Sequence, residues 1–127
     1  MFQLNGWAEI LTTTTADEDP SRLAELISRL NERIAALGLA ERAEVLGRGG
    51  SYVLRMAVVQ NRERGDLDRC RELLTELGQT APGTYGVFYY RDDEQSGSFA
   101  RLVLRRGQLE QETDDLFSPS VPTIEDA

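Results

Sequence analysis

The groups in this 127-residue chain that could do chemistry are its carboxylates, one thiol and its arginines. There is no histidine. Neither a Ser-His-Asp nor a Cys-His relay can form, and a zinc site of the usual kind is excluded. The carboxylate pairs Asp92-Asp93 and Asp114-Asp115 offer acid and base groups in principle. Adjacent residues on an extended chain point to opposite faces, however, so neither pair converges on one substrate. No nucleophile stands beside an identifiable base. The reading is no enzyme, no metal and no cofactor. Asp92-Asp93-Glu94-Gln95-Ser96-Gly97 starts like a calcium loop, but its twelfth position is Val103, which cannot chelate. Gly47-Arg48-Gly49-Gly50-Ser51 lacks the Lys-Ser/Thr ending of a phosphate cradle, and no helix follows it. Both read as hairpin turns. Arg64-Gly65-Asp66 reads as a turn with a helix cap.

Other residues suit binding better than turnover. Trp7 falls on the polar side of its strand, among Gln3, Asn5 and Glu9. An indole there is either covered by another segment, such as the C-terminal tail, or exposed for a partner, and tryptophan is enriched at binding hot spots. Beyond Gly107 the chain carries Glu110, Glu112, Asp114, Asp115, Glu125 and Asp126 and no base. Asp92, Asp93 and Glu94 add an acidic turn. Such acids either solvate a surface or steer a basic protein to it. The tail also holds Leu116, Phe117, Val121 and Ile124, which favour docking over a purely solvating role.

These residues need elements to position them. Phe2, Leu4, Ala8 and Ile10 alternate with polar neighbours, which predicts a half-buried strand that Thr12 to Thr15 can extend. Asp19-Pro20 has the form of a helix start, and Leu23, Leu26, Ile27, Leu30, Ile34 and Leu37 follow at helical spacing up to Gly38. Glu44–Leu46, a turn over 47–50 and Tyr52–Val59 make a hairpin, with Leu54, Met56 and Val58 inward and Arg55 outward. A second helix starts near Asp66, carries Leu67, Cys70, Leu73, Leu74 and Leu77, and stops at Gly78. Cys70 on its apolar face reads as a small core residue. Ala81-Pro82-Gly83 breaks the chain. Strands follow over Tyr85–Tyr90 and Phe99–Arg105, with a turn at Arg106-Gly107 and a last short strand near Leu109. The fold class is α+β, in the order β-α-β-β-α-β-β-β. A single antiparallel sheet carries both helices on one face and leaves the other partly open. Residues 1–113 form one domain, and 114–127 form an extended acidic tail docked on it.

Composition narrows the partners. With 22 acids against 14 bases the formal charge is −8, which disfavours nucleic acid and anionic lipid. All the bases are arginine, for which a GC-rich coding bias is a sufficient reason. A lone cysteine cannot form an internal disulfide framework and suits a reducing compartment. No stretch has the length of a membrane span or the form of a leader. The expected location is the cytoplasm; the oligomeric state is open.

Three stretches carry a resemblance. They are Asn5-Gly6-Trp7; Ala81-Pro82-Gly83-Thr84-Tyr85-Gly86 running into Tyr90-Arg91-Asp92-Asp93-Glu94; and Asp115-Leu116-Phe117-Ser118-Pro119-Ser120-Val121-Pro122-Thr123-Ile124-Glu125-Asp126. Together they resemble the immunity protein 7 family of bacterial polymorphic toxin systems, and the closing segment is the most specific of the three. The resemblance implies a small α+β protein that binds the C-terminal domain of a cognate toxin, here expected to be basic, and neutralises it. Members of that family carry a His-Asn-Arg-like stretch after the central strand. Here it is Gln60-Asn61-Arg62, so Asn61 and Arg62 carry over and an imidazole role does not. The resulting toxin-contact candidates are Trp7, Asn61, Arg62, Asp92, Asp93, Glu94, Asp115, Glu125 and Asp126. Phe117, Pro119, Pro122 and Ile124 are expected to fix the tail. Two other classes stay open: a small-ligand or regulatory module using the open face around Trp7, Arg55, Arg101 and Arg105, and a catalytic domain using carboxylates.

Overall fold

The computed structural model describes residues 1–15 and 18–114. The expectations for Asp115, Phe117, Pro119, Pro122, Ile124, Glu125 and Asp126 therefore lie outside the described residues. The elements are β1 (Phe2–Glu9), α1 (Pro20–Ala36), β2 (Ala43–Arg48), β3 (Ser51–Gln60), α2 (Asp66–Thr80), β4 (Tyr85–Asp92), β5 (Ala100–Arg105) and β6 (Gln108–Thr113). All six strands join one antiparallel sheet in the order β2-β3-β1-β4-β5-β6. The α+β class and the element order are those expected from the sequence.

Alternation along the strands divides the sheet into two faces. Phe2, Leu4 and Ala8 of β1, Leu54, Met56 and Val58 of β3, Phe88 of β4, and Leu102 and Leu104 of β5 are buried. They share one core with Leu23, Leu30 and Ile34 of α1 and Cys70, Leu73, Leu74 and Leu77 of α2. Each helix has one apolar stripe, so both must lie on this face. The opposite face holds the other parity: Gln3, Asn5, Trp7 and Glu9, then Arg55, then Tyr85, Val87 and Tyr89, then Arg101 and Arg105.

Several local expectations are corrected. Thr12 to Thr15 do not prolong β1. The Thr12 backbone N–H and hydroxyl both donate to the Glu18 carboxylate, at 2.9 and 2.7 Å, which turns the chain out of the sheet toward α1. At the start of α1, Asp19 accepts from the Ser21 N–H at 2.9 Å with Pro20 in the first turn, as expected. The hairpin turn is tighter than 47–50. Strand pairing continues to Arg48 opposite Ser51, and Gly49 and Gly50 alone make the bend, at φ 61° and 84°. Those left-handed angles are the ones two-residue hairpins require.

Gly78 does not end α2, which runs on to Thr80. A side chain there would stand 2.9 Å from Leu104 Cδ1 and 3.1 Å from the Gly107 carbonyl oxygen. Glycine at this position lets the helix press on the β5–β6 turn. The start of α2 also differs. Gly65 occupies the cap position without a side-chain bond, and Glu63 accepts from the Leu67 N–H at 3.0 Å in its place.

Candidate functional site

The open sheet face is assembled by register. Trp7 lies directly opposite Arg55 on β3 and Val87 on β4. Its ring meets Tyr85 edge-on, with centroids 6.1 Å apart and planes at 84°. That arrangement suits the aromatic quadrupoles and holds the indole in one orientation. The Tyr85 hydroxyl donates to the Glu9 carboxylate. This hydrogen bond and the Glu9 charge raise the phenol above its ordinary value, so it stays protonated. Trp7 is 46% exposed and Tyr85 44%. Among the described residues nothing covers much of the indole; the cover by the tail that the sequence left open lies outside them.

The flank of the face is electrically self-contained. Arg101 pairs with Glu112 at 2.9 Å and with the buried Asp114 at 3.6 Å. The hydrogen bond to Tyr89, then that to Glu112, holds its guanidinium charged. Arg105 meets Glu110 at 3.3 Å. The three described tail-side acids, Glu110, Glu112 and Asp114, are thus all engaged by arginines on the neighbouring strand. Asp114 continues the ladder, donating its N–H to the Phe99 carbonyl at 3.0 Å.

The acidic turn stands at the other end of β1. Asp92 is opposite Phe2, five residues from Trp7, or about 17 Å along the strand. The turn is closed by the Asp92 carbonyl, which accepts from Gln95 and Ser96, and by its carboxylate, which accepts from Glu94. Asp93 meets the amino group of Met1, and Glu94 lies 3.8 Å from Arg62. The structure thus brings Arg62 to the acidic turn and sets this cluster apart from Trp7. Asn61 and Arg62 are both exposed.

A buried node behind that cluster was not legible in the sequence. Asp66 is 1% exposed. Its carboxylate accepts from Gln60, accepts from Arg69 at 2.5 Å, and lies 3.4 Å from Arg42. Burial pushes the Asp66 carboxyl upward. The hydrogen bonds from Arg69 and Gln60 and the charge of Arg42 outweigh it, and the net direction is downward. Gln60, the residue standing where the resemblance implied histidine, thereby ties the end of β3 to the start of α2. The 61–62 stretch is suspended between those two anchors. The only advance signal was the departure at that position.

Two concavities stand out among the described residues. One, of about 410 Å³, runs between the helices, floored by Leu26, Leu30, Leu73 and Leu77 and bordered by Arg33 and Glu76, which bridge it at 2.8 Å. The other, of about 380 Å³, lies on the open face beside Trp7. Among the described residues no three metal-ligating side chains gather, and no helix is long and apolar enough to cross a membrane.

The model of the family described as immunity protein 7 matches residues 1–126. This chain belongs to the immunity protein 7 family. The match spans both faces of the sheet and the closing segment, as the three sequence stretches anticipated. No curated protein matches this immunity protein 7 chain. Among solved structures, a phage SAM lyase in complex with S-methyl-5'-thioadenosine is similar over 92% of each chain, at 11% identity and a TM-score of 0.40. That likeness is too distant to bear on fold or activity.

Proposed function

We propose that this member of the family is the immunity partner of a cognate polymorphic toxin, which it neutralises by stoichiometric contact without turnover. The observation that carries this reading beyond the family itself is the Trp7–Tyr85 pair. Two large aromatics stand locked against each other and exposed on a rigid sheet, the kind of anchor that supplies affinity at a protein interface. The open face around them makes the main contact. The cluster of Asn61, Arg62, Asp92, Asp93 and Glu94 forms an outlying contact that tunes approach of a basic toxin domain. The tail from Asp115 to Asp126 is read as packing on the same domain through Phe117, Pro119, Pro122 and Ile124. Its acids Asp115, Glu125 and Asp126 extend the contact surface. Action in the cytoplasm of the producing or neighbouring cell follows from this role.

The test is co-expression with the toxic C-terminal domain encoded by the adjoining gene. The expected result is restored growth and recovery of a one-to-one complex. Growth arrest with no complex would refute the proposal.

A further inference from the structure

The hollow on the open face has a composition at odds with the chain around it. It is lined by Asn5, Trp7, Arg55, Val87 and Tyr89 over the backbone of β1 and β3. In a protein with 22 acids and 14 bases, this hollow contains a guanidinium and not one carboxylate. Arg55 is exposed, and among the described residues its side chain makes no ion pair or hydrogen bond, although Glu44 stands opposite it on β2, outside the lining of the hollow. On the same face Arg101 and Arg105 are both held by glutamates. Trp7, directly across the β1–β3 pairing from Arg55, adds an indole N–H and an apolar wall. Asn5 adds an amide. The site therefore offers donors beside an apolar surface, in a hollow whose lining holds a cation and no acid on an anionic molecule.

We infer that this hollow receives an acidic side chain, an aspartate or glutamate, from the toxin domain. This rests on the reading of the open face as the toxin contact. Arg55 makes the fork-shaped pair with the carboxylate, which arginine geometry favours over a lysine-like point contact. Trp7 packs against the methylene stem of the inserted residue and shields the pair from water. The arrangement gives the interface a polarity opposite to the net charge. Overall attraction brings a basic domain toward an acidic protein, while a single acidic residue on the toxin sets the register. A like-charged or neutral residue at that position leaves Arg55 desolvated and unpaired, which discriminates against non-cognate toxins.

The test uses the full chain and the catalytically inactivated toxic domain from the adjoining gene. Arg55→Gln and Arg55→Glu are each measured by calorimetry, beside Arg48→Glu as a control on the same face outside the hollow. The expected loss of affinity is about tenfold or more for Arg55→Gln and larger for Arg55→Glu, with Arg48→Glu within about twofold. Unchanged melting temperatures exclude misfolding. An acid-to-arginine replacement on the toxin is expected to restore binding to Arg55→Glu. If both Arg55 variants bind like the native protein while Trp7→Ala binds poorly, the acidic-anchor inference falls and the immunity reading stands. If the native protein does not bind the toxin domain at all, both fall. Micromolar binding of free glutarate to the protein alone would overturn the inference in favour of a metabolite site.

Discussion

Gln60 donates its side-chain amide to the buried carboxylate of Asp66. The two residues join the last position of β3 to the first of α2 across an exposed connection. Asp66 is therefore a structural anchor for the 61–62 stretch as well as a helix-start acid, and its ionisation is coupled to folding.

Replacing Asp66 by Asn is expected to destabilise the fold by about 3 kcal/mol, since it strips the charge partner of Arg69 and Arg42 from a buried position. The folded-state carboxyl is held below its ordinary value of 3.8. Its contribution is then complete above that value and lost as pH falls through the lower folded value. Urea titrations at pH 7 and across the acid range check both points. Asp66→Asn is expected to flatten the acid limb of the stability curve.

Cys70 is 1% exposed on the inner side of α2. Burial first, then the neighbouring Asp66 charge, pushes its thiol up to about 12. Native protein at pH 8 is expected to resist thiol reagents and to react fully in denaturant. Unfolded thiol ionises near 9.0 while the folded one does not, so stability is expected to fall as pH rises above that value. Rapid labelling of native protein by a disulfide exchange reagent would contradict this.

Gly6 faces Phe88 across β1 and β4. A methyl group there would stand 2.5 Å from Phe88 Cδ1 and closer still to the β4 backbone. Gly6→Ala is expected to cost about 3 kcal/mol or to abolish folding, beyond ordinary overpacking because backbone is struck. Gly97 has no neighbour within 4 Å and is not among the positive-φ glycines, so Gly97→Ala is expected to be neutral or stabilising by about 0.5 kcal/mol. Thermal melts of the pair make the comparison.

Trp7→Ala is expected to weaken toxin binding by about 2 kcal/mol or more, with its main effect on dissociation. Thermal stability is expected to shift little, because the indole is half exposed and lies outside the core. Tyr85→Phe, which releases Glu9 but keeps the edge-on contact, is expected to lose much less. Surface plasmon resonance separates the two effects.

Replacing Asp92 and Asp93 together by Asn is expected to slow association with the toxin domain at low salt and to flatten its salt dependence. Asp93 already has a cationic partner in the Met1 amino group, so the change is expected to be about threefold in rate, smaller than for two bare charges. A rate and salt slope equal to the native values would remove the turn from the contact.

Much of the fold was legible because the alternation in β1, β3 and β5 and the leucine spacing in both helices leave only one way to bury apolar surface. What escaped were features set by contact between distant segments. Glu18 recruits Thr12, so a β-favouring threonine run leaves the sheet. Gly78 reads locally as a helix stop, yet Leu104 and Gly107 require a small residue inside the helix there. The site was half legible. Trp7 stood out by breaking its strand's polar parity, and Arg62 with Glu94 were singled out separately. Their separation along β1, the Gln60–Asp66 node and the placement of Arg55 beside Trp7 depend on strand register, which spacing alone does not reveal.

The strand order places β1 between β3 and β4. The earliest of these six strands in chain order is thus one of the two central ones, and its second neighbour ends at Asp92. Roughly 80 residues must follow β1 before both its edges are paired, several seconds of synthesis at bacterial speeds. Throughout that interval the growing chain holds β1 with an open β-edge. In the proposed immunity role, only copies finished in advance can meet a toxin during that interval.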